Sequence, residues 1–142
     1  MKKKMCSPKF LKIIALVIPL IIGHNFSHAQ TRKLWSVPKE AVNVKNPLAN
    51  DAGLIKTGKT LYTTYCTPCH GDKGKGDGIA AAALNPKPAD HTSPATQAET
   101  DGALFYKISE GNSPMPPYKA SLTEAQRWDL VDYIRTLAKK SK

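Results

Sequence analysis

The stretch Cys66-Thr67-Pro68-Cys69-His70 decides how this chain is read. Two thiols three residues apart on one helical turn project the same way. Both can add to the two vinyl groups on neighbouring sides of one porphyrin. His70, the next residue, then falls beneath the iron as the proximal ligand. CxxCH in this form is the covalent haem attachment signature. Three other chemistries use close cysteine pairs. A thioredoxin-type pair belongs between a strand and a helix over a buried sheet, and no strand signal flanks this one. A zinc site needs four ligands, so His91 and a carboxylate would have to complete it. A plain disulfide explains neither His70 nor the single methionine downstream.

That methionine, Met115, lies in Gly111–Tyr118, GNSPMPPY. A thioether opposite a histidine raises the reduction potential and favours electron transfer. Pro114, Pro116 and Pro117 restrict the loop, so the sulfur is held with little entropy left to lose. His91, between Pro88 and Pro94, is the competing sixth ligand. A lone histidine in a polar loop more often faces solvent, which favours Met115.

Moving outward, the N-terminal residues change the composition. The 142-residue chain carries a net charge of +10, 3 Cys and 3 Met. Met1–Lys12 holds five lysines and no acid, and Ile13–Ile22 is an apolar run of ten. Ser27-His28-Ala29 follows. This is the order of a secretory signal, and the run is short against the ~20 residues of a spanning helix. Residues 1–29 are therefore expected to be a signal peptide, cleaved before Gln30, with export to the periplasm. Cleavage removes Cys6, Met1, Met5 and the five lysines, so the charge falls from +10 to +5. Cys66, Cys69 and Met115 remain. The remaining basic residues are dispersed with no recognition module, which excludes nucleic acid as the partner. The length excludes a barrel enzyme or a two-domain dehydrogenase.

The rest of the chain reads as all-α. Residues 30–52, with Pro38 and Pro47, form an extended arm. A helix runs from Leu54 into Cys66. Gly71–Gly78, GDKGKGDG, is a turn-rich loop forming a tight connection over the haem edge. Ile79–Leu84 is a short helical turn, and Asn85–Gln97, with three prolines, is loop. Asp101–Ser109 is helix. Gly111–Tyr118 is neither helix nor central strand, since its prolines remove donors. In the last helix Ser121 and Glu124 give a capping box. Leu130, Tyr133, Ile134 and Leu137 then recur at i, i+3, i+4, i+7. Gly53–Thr60, GLIKTGKT, satisfies the phosphate-loop pattern GxxxxGK[ST], but no buried strand precedes it. Gly58 is better read as the place where another helix crosses closely.

These residues together resemble the class I c-type cytochromes, in particular the small secreted monohaem group. The resemblance covers Leu54 to Ala138. CTPCHGDKGKGDG is similar to the family's haem-binding segment, and NSPMPPY to its methionine loop. Asp129–Ile134, DLVDYI, is similar to its C-terminal helix. The resemblance implies the cytochrome c fold, one domain over residues 53–140 wrapped around one covalently bound haem c. Cys66 and Cys69 would hold the haem, His70 and Met115 would be its axial ligands, and Leu84 would pack on it. Leu130 and Tyr133 would pack on Gly58 and Tyr62. A backbone carbonyl would receive the proton of the other His70 nitrogen. Many relatives carry proline after GDG where this chain has Ile79, so that carbonyl is expected between Ile79 and Pro88.

The function implied is that of a periplasmic one-electron carrier, not an enzyme. Its partners would be a quinol-oxidising complex, a terminal oxidase or a periplasmic reductase, with peripheral membrane association left open. Lys73, Lys75, Lys87 and Lys119 could meet an acidic partner. One alternative is a haem c subunit of a larger respiratory or dehydrogenase complex, with Trp35, Val37, Val42 and Val44 of the arm docking on a neighbour. Another is a haem peroxidase or gas sensor in which the sixth site is open.

Overall fold

A computed structural model describes residues 35–49 and 51–138. The expected signal peptide lies outside the described residues. In chain order the helices are α1 (Lys39–Val42), α2 (Ala52–Tyr65), α3 (Thr67–His70), α4 (Pro94–Gln97), α5 (Asp101–Glu110) and α6 (Glu124–Thr136), with a 3-10 turn at Ala81–Ala83 between α3 and α4. Among the described residues the one pairing of strand type is the isolated antiparallel bridge Asn112–Met115. The all-α expectation agrees with this. None of the described helices is long and apolar enough to cross a membrane.

α2 and α6 form the frame on which the rest is hung. α2 starts at Asp51, whose carboxylate accepts from the amides of Gly53 at 2.7 Å and Leu54 at 3.2 Å. Its buried residues are Gly58 and Tyr62. A Cβ on Gly58 would lie 2.0 Å from the Asp129 carbonyl oxygen and 3.0 Å from Tyr133 Cβ. Only a residue without a side chain lets α6 approach that closely. One turn later the Tyr62 and Tyr133 rings meet at 5.1 Å, and Leu130 joins Tyr62 in the core at 1% exposure. The phosphate-loop pattern thus lies within α2. Its backbone amides are committed to the Asp51 cap and the helix, and none is left to cradle a phosphate.

The capping box of α6 forms two residues later than expected. Thr123 and Gln126 make it, with Thr123 N donating to Gln126 Oε1 at 2.9 Å and Gln126 N to Thr123 Oγ1 at 3.2 Å. Ser121 is already used. Its amide and that of Leu122 both donate to the Tyr118 carbonyl, closing a turn that buries Leu122 before the helix begins. A second difference is α4, inside the stretch expected to be loop. Pro94 sits at a first helical position, where a missing N–H costs nothing, and the Ser93 side chain caps the amide of Thr96.

The core joins Tyr62, Leu104, Ile108, Leu122, Trp128, Leu130, Val131 and Ile134. Phe105 stacks on Trp128 at 4.0 Å. The Arg127 guanidinium covers the other side of Phe105 at 4.7 Å and donates to Ser109 Oγ. Arg135 fastens α6 to α4 and α5, donating to the Gln97 carbonyl at 3.0 Å, the Glu99 carbonyl at 2.5 Å and the Asp101 carboxylate at 2.8 Å.

Within the arm, Lys39–Val42 closes one helical turn where the sequence reading has extended chain. The turn is held from outside: Thr100 Oγ1, the cap of α5, donates to the Val42 carbonyl at 2.8 Å. Gly102 makes room, since a Cβ there would lie 2.1 Å from the Ala41 carbonyl oxygen. Further along, Asn46 Nδ2 donates to Asp132 at 2.7 Å, and the Lys107 ammonium lies 5.6 Å from the Trp35 ring centroid. The arm therefore packs on its own domain. Of the four apolar residues considered for docking, Val44 alone is exposed, while Trp35, Val37 and Val42 are half-buried.

Candidate functional site

The attachment segment sits where two helices meet. Cys66 ends α2, donating its amide to the Tyr62 carbonyl at 2.8 Å, and its own carbonyl accepts from Cys69 N at 3.1 Å and His70 N at 2.8 Å. α3 is thus a single turn that carries Cys69 and His70 directly after Cys66. The glycine-rich loop then folds back under this turn. The amides of Ala80, Gly78 and Gly76 donate to the carbonyls of Pro68 at 2.9 Å, Cys69 at 3.1 Å and His70 at 2.8 Å. Gly71 and Gly76 turn at φ 76° and 73°, a region glycine occupies without strain. The loop therefore caps the carbonyl end of α3, and these amides are not available to bind an anion.

Cys66 and Cys69 are free thiols, both half-buried. Burial, with Cys69 beside it, pushes the Cys66 thiol up to about 12. A thiol that resists ionisation is poorly matched to a thiolate metal ligand or a reactive redox cysteine. Among the described residues no three His, Cys, Asp or Glu side chains gather as a metal cluster would.

His70 Nδ1 lies 3.0 Å from the Ala89 carbonyl oxygen. A carbonyl only accepts, so Nδ1 carries the proton and Nε2 keeps its lone pair. Burial lowers the His70 pKa, outweighing this bond, and the ring is neutral. A neutral imidazole with one nitrogen fixed by a carbonyl is the usual state of a metal-ligating histidine. The carbonyl is one residue beyond the window expected from the sequence. The Pro88 carbonyl packs on Gly76, where a Cβ would lie 2.5 Å from its oxygen, and the next carbonyl turns to His70.

His91 is not in solvent. Its ring stacks on His70 with centroids 4.0 Å apart and planes 19° apart. Its Nδ1 lies 2.9 Å from the Tyr62 hydroxyl. Burial, reinforced by His70 and opposed by Asp90, pushes its pKa down to about 3. No local spacing links residues this far apart, so the sequence carries no signal of the contact.

Met115 is partly buried against the same core that Cys66 joins. Its amide and carbonyl exchange 2.9 Å hydrogen bonds with Asn112. Tyr118 ties this loop down twice. Its amide donates to the Ile108 carbonyl at 3.1 Å, and its hydroxyl to the Tyr65 carbonyl, next to Cys66, at 3.0 Å. Leu84, half-buried, follows the 3-10 turn and lies outside that core. Lys73 and Lys75 are exposed beside Asp72, Asp77 and Ile79, and Ile79 is 96% exposed. Lys119 pairs with Glu110 at 3.2 Å.

Two free thiols on one turn, a histidine with one ring nitrogen fixed by a carbonyl, and a thioether on a tied loop are a donor set that fits haem c. The helical frame and the CxxCH turn are those of a c-type cytochrome. The chain belongs to the family described as cytochrome c oxidase, cbb3-type, subunit III, which matches residues 53–134, more than half of it. Among solved structures, it is similar to a reducing HAO-like protein complex of Kuenenia stuttgartiensis, at 28% identity and TM-score 0.59 over 74% of this chain and 50% of that one. It thus spans half the length of that relative. It is also similar to the KustC0563 c-type cytochrome, at 28% identity and TM-score 0.52 over 58% of this chain and 98% of that one. Cytochrome cL of Hyphomicrobium denitrificans shares the fold at 24% identity and TM-score 0.53, over 72% of this chain and 64% of that one. No curated protein matches the chain.

Proposed function

We propose that residues 53–140 form a haem c domain that carries single electrons in the periplasm between respiratory partners. Cys66 and Cys69 would hold the haem by thioether bonds. His70 and Met115 would be the axial ligands, with Leu84 against the ring. The bound haem supplies a one-electron ferric–ferrous couple. This chain's own residues do the rest. Ala89 holds the His70 proton at Nδ1 and leaves Nε2 its lone pair. The Asn112–Met115 bridge and Tyr118 keep the thioether in place, which limits the rearrangement on electron transfer. With His70 and Met115 both holding the iron, no position would remain for a substrate, and the chemistry would be electron transfer alone.

The observation that carries this reading is the carbonyl-oriented His70 directly after two half-buried free thiols on one turn, Cys66 and Cys69. The geometry also favours Met115 over His91 as the sixth ligand. His91 stacks face to face on His70 at 4.0 Å, so it would lie on the same side of a haem held by His70 and leave the opposite side to Met115. The test is the intact mass of the protein exported from a host with haem-maturation machinery. A chain starting at Gln30 plus one haem, retained after acid extraction, is expected. An unmodified mass after export overturns the reading.

The family match supports a second reading, in which the domain is a fixed haem subunit of a respiratory complex. A free carrier and a subunit differ in size under native conditions. Co-migration with a large complex in mild detergent extracts would establish the subunit, and migration as a small species the carrier.

A further inference from the structure

We propose that His91 is a positioning residue for His70, setting the plane of the proximal imidazole through a face-to-face stack. The proposal rests on the reading of His70 as the iron ligand. Two contacts hold the His70 ring, and both come from one short stretch of loop. The Ala89 carbonyl takes the Nδ1 proton at 3.0 Å. That single bond fixes one point of the ring and leaves it able to rock about its long axis. Two residues on, the His91 ring lies on the His70 face at 4.0 Å and 19°, which removes the rocking.

A stack positions its neighbour only if it is itself fixed, and His91 is fixed on three sides. Its Nδ1 meets the Tyr62 hydroxyl at 2.9 Å. Its amide donates to the Gly74 carbonyl at 2.6 Å. Its carbonyl accepts from Gln97 Nε2 at 2.7 Å, and the same nitrogen donates to the Ile134 carbonyl of α6 at 3.0 Å. Tyr62 is held in turn, at 1% exposure, against Tyr133. The orientation of His70 is therefore referred through His91 to both frame helices. The Tyr62 hydroxyl fixes the ring itself, and the two backbone bonds fix the loop that carries it. The imidazole plane decides which iron d orbital the ligand overlaps. Holding it still gives one electronic state and a small rearrangement on transfer.

The test uses the ferric holoprotein and reads the paramagnetically shifted NMR resonances of the haem methyls, whose spread reports the axial ligand planes. Thermal unfolding is followed alongside. His91→Ala should change the spread or split the resonances into more than one set. His91→Phe, which keeps a flat ring, should return the pattern toward wild type. Tyr62→Phe, which removes the hydroxyl alone, should give a smaller change of the same kind. A His91→Ala pattern identical to wild type, with only the unfolding midpoint lowered, overturns the proposal and leaves His91 a packing residue. Where His91→Ala does not take up haem, Tyr62→Phe decides: a shifted pattern supports the proposal and an unchanged one overturns it. A wild-type spectrum without a histidine-ligated haem would instead defeat the reading of His70, a separate outcome.

Discussion

At the scale of single residues, the site depends on which groups are kept neutral. His70, His91 and Cys66 are all pushed by burial toward their uncharged forms, which suits a low-dielectric pocket around a redox centre. The same effect reaches α6. Asp132 is buried, and its pKa is raised by desolvation and by Asp101, Asp129 and Asp51, against the hydrogen bond from Asn46, which lowers it. A carboxyl whose folded pKa is raised favours the fold while protonated. That contribution is full below the ordinary carboxylate range, ~4, and is lost as pH rises through the raised value. Asp132→Asn keeps an acceptor for Asn46 and cannot ionise. Its stability relative to wild type should therefore improve steadily as pH is taken from ~4 to ~7, measured by urea unfolding at each pH. A difference that does not vary with pH would show that Asp132 keeps its ordinary titration. The residues of CxxCH and Met115 are legible in the sequence because their spacing is short or their flanks distinctive. Ala89 and His91 are not, since a backbone carbonyl has no sequence signature and a stacked pair distant in the chain leaves no period.

At the scale of elements, the chain is most readable where one helix carries its own signals. α2, α5 and the apolar stripe of α6 are readable from periodicity, whereas their caps Asp51, Thr100 and Thr123 emerge only in the structure. The readings that differ have local causes. Ser121 has a cap's chemistry but is spent on the turn that buries Leu122. Pro94 reads as a breaker, yet at a first helical position it starts a helix. The element contact most sensitive to change is the α2–α6 crossing. Gly58→Leu would put a side chain where the Asp129 backbone already stands. Forcing the helices apart should cost about 1–3 kcal/mol or more. Chemical unfolding of the holoprotein should show it as a lower midpoint. A midpoint equal to wild type would mean that the helices do not cross at Gly58.

At the scale of the whole molecule, α2 and α6 supply a rigid frame, and the loops supply the chemistry. The α2–α3 junction presents both thiols and His70. Residues 74–91 return to orient that histidine, and residues 111–118 return with the thioether, tied to α2 through Tyr118. The described part of the arm packs on α5 and reaches α6 through Asn46. Under the proposed function, the two returning loops bring His70 and Met115 to one haem. The near-infrared spectrum of the ferric protein tests it most directly, because a methionine sulfur bound to ferric haem iron gives a charge-transfer band there. The band is expected in wild type and in His91→Ala, and it is expected to be lost in Met115→Ala. A wild-type spectrum without the band, or a band that survives Met115→Ala, would contradict it.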